Sequence, residues 1–212
     1  MFLGIIGSGT MGKVLLDYAK EEGTFDDIAV LEPLSDQPWP EKRPDLLIDF
    51  SHPKAVGRIY DYCREKGGNI PIVLATTGYG PEEEKLVQLL EKICPLVRSS
   101  NFSRGMEVMQ QLCREAKKEL AGRCDIRMTE VHHTKKRDRP SGTAVSLCHS
   151  LALDPFDEAR VQSLRMGTVC GQHTVYFALE DEILEIRHTA MSKKIFAIGA
   201  LEAGKKLVKE LT

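Results

Sequence analysis

The chain has 212 residues, 42% of them hydrophobic, which is enough to bury a core and excludes wholesale disorder; the length suits one large domain or two small ones. Twenty-nine basic side chains against thirty-one acidic ones leave a formal charge of −2, so no global field draws the protein to nucleic acid or to an anionic membrane, and any anion site has to be local. No stretch reaches transmembrane length, the opening MFLGIIGSGTMGK lacks the basic leader of a signal peptide, and six cysteines without a C-x-x-C pair read as reduced thiols, so a cytoplasmic protein is expected.

Residues 2–6 form a short apolar run that ends in Gly7-Ser8-Gly9-Thr10-Met11-Gly12. Val14, Leu15, Tyr18 and Ala19 then recur at helical spacing, which reads as strand, glycine turn and helix. Further apolar runs at 28–31, 46–50, 70–75 and 95–98 alternate with helical stretches that end near Lys66 and Ile93, the second opened by Pro81. Short strands alternating with helices predict an α/β domain built on a doubly wound parallel sheet. Residues 33–44, with four prolines, read as a loop.

Beyond residue 103 the pattern changes. Met106, Met109, Leu112, Cys113, Ala116 and Leu120 mark one long amphipathic helix, and 124–131 alternate as a strand. A helix is expected from Ser141 or Gly142. Val175, Phe177 and Leu179, a turn at 180–182, then Leu184, Ile186 and His188 predict an antiparallel hairpin, and 194–209 a closing helix. The expected organisation is a nucleotide-type domain over 1–102 with a return segment at 192–212, and an α+β domain over 103–191.

The glycine turn fits G-x-G-x-x-G between a strand and a helix, where glycines let the backbone approach a pyrophosphate at the positive end of the helix. Residues 7–13 also fit the phosphate loop G-x-x-x-x-G-K, but the next residue is Val14, without the hydroxyl that a magnesium ion needs there. A dinucleotide site calls for an acid about twenty residues on, at the end of the second strand, to hold the ribose hydroxyls; Glu32 stands there. Pro33 follows it, where an arginine would have paired with a 2′-phosphate, so NADH is favoured over NADPH. Thr76-Thr77-Gly78 and Ser99-Ser100-Asn101-Phe102 each follow a parallel strand, at the end where open sheets bind ligands, and are candidates to line the nicotinamide end of the groove.

The densest chemistry lies in EVHHTKKRDRPSGTA, residues 130–144. Zinc fits it poorly, because adjacent histidines on a strand point to opposite faces, no further ligands stand at zinc-like spacing, and neighbouring ammonium groups oppose a cation; no metal is expected. The basic run Lys135, Lys136, Arg137 and Arg139 is short and lacks interleaved aromatics, so nucleic acid is not expected either. A helix opening at Ser141-Gly142-Thr143, with free N–H groups and hydroxyls facing histidines and lysines, instead suits a small dianion with proton donors at hand. Histidine titrates near neutral pH, and a lysine among cations can be drawn into working range.

At this point the motif Glu130-x-His132-His133-x-x-Lys136-x-Asp138-x-Pro140-Ser141-Gly142-Thr143 resembles the signature of the dihydrodipicolinate reductase (4-hydroxy-tetrahydrodipicolinate reductase) family. Segments at 49–51, 75–78, 101–103, 167–173 and 192–200 resemble family segments too. The resemblance implies NAD(P)H-dependent reduction of 4-hydroxy-tetrahydrodipicolinate in the diaminopimelate and lysine pathway, on a Rossmann-like N-terminal domain and an α+β substrate and oligomerisation domain that builds a homotetramer. It implies His132 and Lys136 as the catalytic pair that supplies a proton, with His133, Ser141, Gly142 and Thr143 on the substrate. The cofactor, NADH or NADPH, would lie along Gly7, Ser8, Gly9, Thr10, Met11 and Gly12, with Glu32 on the ribose, Ala75, Thr76 and Thr77 near the nicotinamide, and Ser99, Ser100, Asn101 and Phe102 at the hinge.

The chain departs from the family in three ways: its glycine turn lacks an arginine-bearing extra residue, Ala75 replaces a glycine, and segments near 33–45 and after Leu153 are short. Two rivals remain: another NAD(P)-dependent oxidoreductase of an amino-acid derivative, and a dinucleotide-sensing module without turnover. The first is opposed by the Pro-Ser-Gly-Thr turn, the second by the presence of His132 and Lys136.

Overall fold

A computed structural model describes residues 1–211, which divide into two compact units, Met1–Phe102 with the C-terminal residues from Phe196, and Ser103–Ile195. In the first unit the chain runs β1 (Phe2–Ile6), α1 (Thr10–Glu22), β2 (Asp27–Leu31), β3 (Leu46–Asp49), α2 (Val56–Glu65), β4 (Ile72–Leu74), α3 (Pro81–Ile93) and β5 (Leu96–Arg98). The second contains α4 (Arg104–Glu119), β6 (Asp125–His132), α5 (Gly142–Ser150), β7 (Val161–Arg165), β8 (Gly171–Ala178) and β9 (Ile183–Ala190), and the chain closes with α6 (Lys194–Glu210).

The first sheet is parallel throughout, in the order β2-β1-β3-β4-β5. Its strands read as unbroken apolar runs because both faces are covered. Alternate residues divide between two cores. Ile6, Leu47, Ile72 and Leu74 pack with Val56, Ile59, Val87 and Leu90 of α2 and α3, whereas Leu3, Ile5, Leu46, Ile48 and Val73 pack with Leu15 and Ala19 of α1 and Ala197, Ala200 and Leu201 of α6. Each fully buried leucine or isoleucine contributes about 1.5–3 kcal/mol, which is why these short strands hold. The strand order reverses direction between β1 and β3, and the crevice beyond their carboxyl ends is where such a sheet takes a ligand.

The second sheet has the order β7-β6-β8-β9, with β7 parallel to β6 and the other pairs antiparallel. The expected hairpin is β8–β9, and β7 is an edge strand that the periodicity did not signal. Ser103 caps α4 by accepting the Met106 N–H at 3.3 Å. Met106, Met109 and Cys113 of α4 and Ala144, Leu147 and Cys148 of α5 cover one sheet face, against Ile126, Met128, Val161, Val175 and Phe177. All six cysteines are free.

The same face of β6 continues past Met128 to Glu130 and His132, since side chains two apart share a face. The apolar core therefore gives way, along one strand, to a buried polar cluster.

Candidate active site

In the first unit every candidate residue lies at the carboxyl ends of the parallel strands. Gly7 donates its N–H to the Leu31 carbonyl at 2.8 Å, and Gly9, extended and exposed, starts α1 with no side-chain cap. A Cβ on Gly12 would stand 1.9 Å from the Gly7 carbonyl oxygen, so only glycine lets α1 begin this close to the strand end. The opening N–H groups of the helix thus face an approach free of side chains, which fits a pyrophosphate. Ser8 Oγ donates to the Glu32 carboxylate, which brings the two predicted cofactor contacts together. Met11 and Phe102 are partly buried and pack against the core formed by α1, α6 and the sheet.

Arg58, the guanidinium next to Glu32, is engaged elsewhere. It donates to the carbonyls of Glu32 at 3.1 Å, Pro33 at 3.3 Å, Ser35 and Gln37, and its plane lies 5.0 Å from the Trp39 ring. The proline-rich loop at 33–44 is held by this side chain together with Tyr62, which donates to the Pro40 carbonyl at 3.0 Å, and Lys66, which donates to the Glu41 carbonyl at 2.7 Å.

At the ends of β3 and β4, Ala75 donates its N–H to the Asp49 carbonyl at 2.9 Å, and Thr76 is buried, its Oγ1 accepting the Ser51 N–H at 2.9 Å. Thr77 and Gly78 are exposed to the crevice. Asp49 was not singled out as a site residue. It is fully buried, accepts from the Ser51 N–H and Oγ and from Tyr79 OH at 3.4 Å, and burial pushes its carboxyl up while these bonds pull it back. Ser99 donates its N–H to Leu74 at 3.2 Å and its hydroxyl to the Asn101 carbonyl at 2.8 Å, which closes the turn through Ser100 to Phe102.

The second unit holds the polar cluster. His132 Nδ1 is hydrogen-bonded to Glu130 Oε2, and the Arg165 guanidinium lies 2.9 Å from Glu130 Oε1. Burial would raise the Glu130 carboxyl, but hydrogen bonds from His132, Arg165 and Ser163 outweigh it and hold the group at about 2. An ionised carboxylate only accepts, so His132 Nδ1 carries the proton and Nε2 is left as the acceptor nitrogen. That ring edge occupies space left by Gly171, where a Cβ would stand 3.0 Å from Nε2.

His173, paired in register with Glu130, lies edge-on to the His132 ring at 5.2 Å between centroids, and its Nε2 is 3.1 Å from Ser141 Oγ. Burial, with the nearby His132, pushes its imidazole down to about 3, so it stays neutral. Ser141 Oγ also accepts the Ala144 N–H at 3.2 Å, which makes it the cap of α5. Ser141 thus joins His173 to the start of α5, whose first residues are Gly142 and Thr143. Ligating atoms of Glu130, His132 and His173 lie within 4.8 Å of one another, yet both carboxylate oxygens are already engaged and Arg165 supplies the counter-charge.

His133 follows the last residue of β6 and is half-buried. Its imidazole is pushed down by burial first and then by the neighbouring Lys193, His132, Lys136 and Arg165, which places it among cationic groups. Lys136 is half-buried and held 2.9 Å from Asp138, while Lys135, Arg137 and Arg139 are exposed. The basic run thus divides into one fixed ammonium and three solvated charges. The sequence reading missed Arg165 and His173 as members of the site; the family-like segment at 167–173 was the only signal near them.

Residues 105–212 match the family described as dihydrodipicolinate reductase, C-terminus, and residues 33–102 match its N-terminus. The chain belongs to the dihydrodipicolinate reductase family. It is 38% identical over 206 residues to the 4-hydroxy-tetrahydrodipicolinate reductase of Thermosipho africanus, covering 97% of this chain and 90% of that one. It is 35% identical over 225 residues to the corresponding reductase of an Exiguobacterium species, covering 96% and 89%. The fold resembles dipicolinate-bound dihydrodipicolinate reductase from Paenisporosarcina sp. TG-14, with a TM-score of 0.70 at 20% identity over 99% of this chain and 95% of that one. Aspartate dehydrogenase from Thermotoga maritima shares the fold more loosely, with a TM-score of 0.55 at 15% identity over 98% and 96% of the two chains. The match to the family's N-terminal description begins at residue 33, whereas the match to the Thermosipho africanus reductase covers 97% of the chain.

Proposed function

We propose that this chain catalyses the NAD(P)H-dependent reduction of 4-hydroxy-tetrahydrodipicolinate to tetrahydrodipicolinate, in the diaminopimelate and lysine pathway. The observation that carries the reading is a buried, oriented histidine, the Glu130–His132 pair, with His133, Lys136 and the start of α5 in the same segment and cationic side chains around His133. When bound, the nicotinamide cofactor supplies a hydride; the protein has to hold a dicarboxylate and deliver one proton. His133 and the Gly142 and Thr143 N–H groups bind carboxylate. Lys136 is the proton donor, its ammonium fixed by Asp138, and His132 presents Nε2 beside it as the partner that takes part in the transfer.

In the first unit the N–H groups of 9–12 hold the pyrophosphate and Glu32 the ribose diol. NADH is the preferred cofactor: Glu32 would repel a 2′-phosphate, and Arg58, the guanidinium beside it, already donates to four loop carbonyls. Ala75, Thr76 and Thr77, with Ser99, Ser100 and Asn101, shape the nicotinamide end. The 1–102 and 192–212 segments act as the dinucleotide domain, and 103–191 as the substrate and assembly domain.

A homotetramer belongs to this reading, supported by Leu164, Met166, Ile183 and Leu184, large apolar side chains left exposed around the second sheet. The compartment is the cytoplasm, where six free thiols stay reduced; no described helix is long and apolar enough to cross a membrane.

The test follows NADH and NADPH absorbance with the condensation product of pyruvate and aspartate semialdehyde. Oxidation of NADH at lower cofactor concentration than NADPH is expected. Oxidation of neither refutes the reading.

A further inference from the structure

Arg165 lies well outside the 130–144 segment, yet its guanidinium touches both halves of the chemistry. It stands beside His132 in the parallel register of β6 and β7, and its side chain is only 4% exposed. One nitrogen ion-pairs with Glu130 at 2.9 Å and donates to the Asp138 carbonyl at 2.5 Å; Nε donates to the Lys136 carbonyl at 3.3 Å, and the remaining nitrogen to Leu164 at 2.7 Å. The carboxylate is the one that orients His132, and the two loop carbonyls are those of Lys136, whose ammonium is the proposed donor, and of Asp138, which pairs with that ammonium.

A buried guanidinium is an expensive way to hold an edge strand. Desolvation offsets most of the attraction between Arg165 and Glu130, and a well-packed apolar pair in place of both groups would hold the strand as stably. What an aliphatic group lacks is a planar fork that meets a carboxylate and two carbonyls at fixed angles. An ammonium lacks it as well, because it is a point charge on a flexible stem.

We propose that Arg165 is a positioning residue for the reduction, a single guanidinium that sets the Glu130–His132 pair and the Lys136 loop relative to each other. The proposal rests on the roles given above to His132 and Lys136. It predicts that the two functions of Arg165 separate under substitution. Arg165→Lys keeps a cation for Glu130 but not the bonds to the loop, whereas Arg165→Gln removes the cation.

The experiment combines steady-state kinetics, NADH titration and 15N NMR of the histidine rings in the full chain. In Arg165→Gln, kcat should fall about 100-fold, as expected for a displacement on the scale of an ångström. NADH affinity should stay within about twofold of wild type, and the His132 ring signal should move away from its Nδ1–H form. In Arg165→Lys the ring signal should match wild type while kcat falls about 10-fold. An unmoved His132 signal in folded Arg165→Gln, or wild-type turnover in Arg165→Lys, overturns the proposal. If Arg165→Gln does not fold, Arg165→Lys alone decides. If the wild-type protein does not oxidise NADH with this substrate, the functional reading fails, whereas the His132 signal, recorded without substrate, still tests the hold of Arg165 on the Glu130–His132 pair.

Discussion

Glu130→Gln removes a charge and keeps the shape of the side chain. Glu130 is fully buried and its partner Arg165 nearly so, so the substitution strands a guanidinium away from water. Breaking a buried pair by removing one member costs about 3–5 kcal/mol. The titration of the carboxyl gives a second route to the magnitude: from an ordinary value of 4.5 down to about 2, at roughly 1.4 kcal/mol per pKa unit, the folded state gains ~3 kcal/mol from ionisation. The two routes agree.

In a chain of this size ~3 kcal/mol corresponds to a melting-point drop of about 6–12 °C at pH 7. The pH dependence has a fixed sign. A carboxyl depressed in the folded state stabilises fully above its unfolded pKa, near 4.5, and loses that contribution as the pH falls towards about 2. Melting curves by circular dichroism, from pH 7 down to pH 3, should therefore show the gap between wild type and Glu130→Gln narrowing below about pH 4.5. A gap at pH 7 below about 2 °C, or one that stays constant to pH 3, would show that Glu130 is not held ionised by Arg165 and His132.

Two further outcomes follow from single contacts. Glu32→Gln should weaken NADH binding about 10-fold, read by fluorescence titration, because a hydrogen bond to a charged acceptor is worth about 1.5–3 kcal/mol; the NADPH to NADH preference should rise at the same time. Gly171→Ala places a Cβ 3.0 Å from His132 Nε2 and 3.4 Å from Cδ2, so the ring has to shift by a few tenths of an ångström. Turnover should then fall about 10-fold with the melting temperature nearly unchanged, and an unaltered kcat would show that the ring position is not critical.

Sequence periodicity made the first unit legible because its strands are buried on both faces and its glycine turn has a steric reason that Gly12 shows directly. The segment 130–144 was legible as an anion pocket because its residues are contiguous. What periodicity could not supply came from across the second sheet. The strand β7 reads Val-Gln-Ser-Leu-Arg, yet Leu164 points out, half exposed, while the Arg165 side chain points in, so its pattern is inverted relative to ordinary hydrophobic alternation. His173 reaches Ser141 through the antiparallel pairing of β6 and β8, a contact that the spacing of residues along the chain does not reveal. Asp49 was hidden for a related reason: a carboxylate at the end of an apolar strand reads as a strand terminus, and only its hydrogen bonds to Ser51 and Tyr79 reveal a buried organiser of the crevice.

The central claim is that a fixed ammonium in the 130–144 segment supplies the proton while the cofactor is bound independently at the glycine turn. Its most direct measurement is the single-turnover rate of NADH oxidation by Lys136→Ala at saturating substrate, beside the NADH dissociation constant of the same variant. The account predicts a rate lower by about 10²–10⁴-fold with NADH affinity unchanged. A rate equal to that of wild type would contradict it.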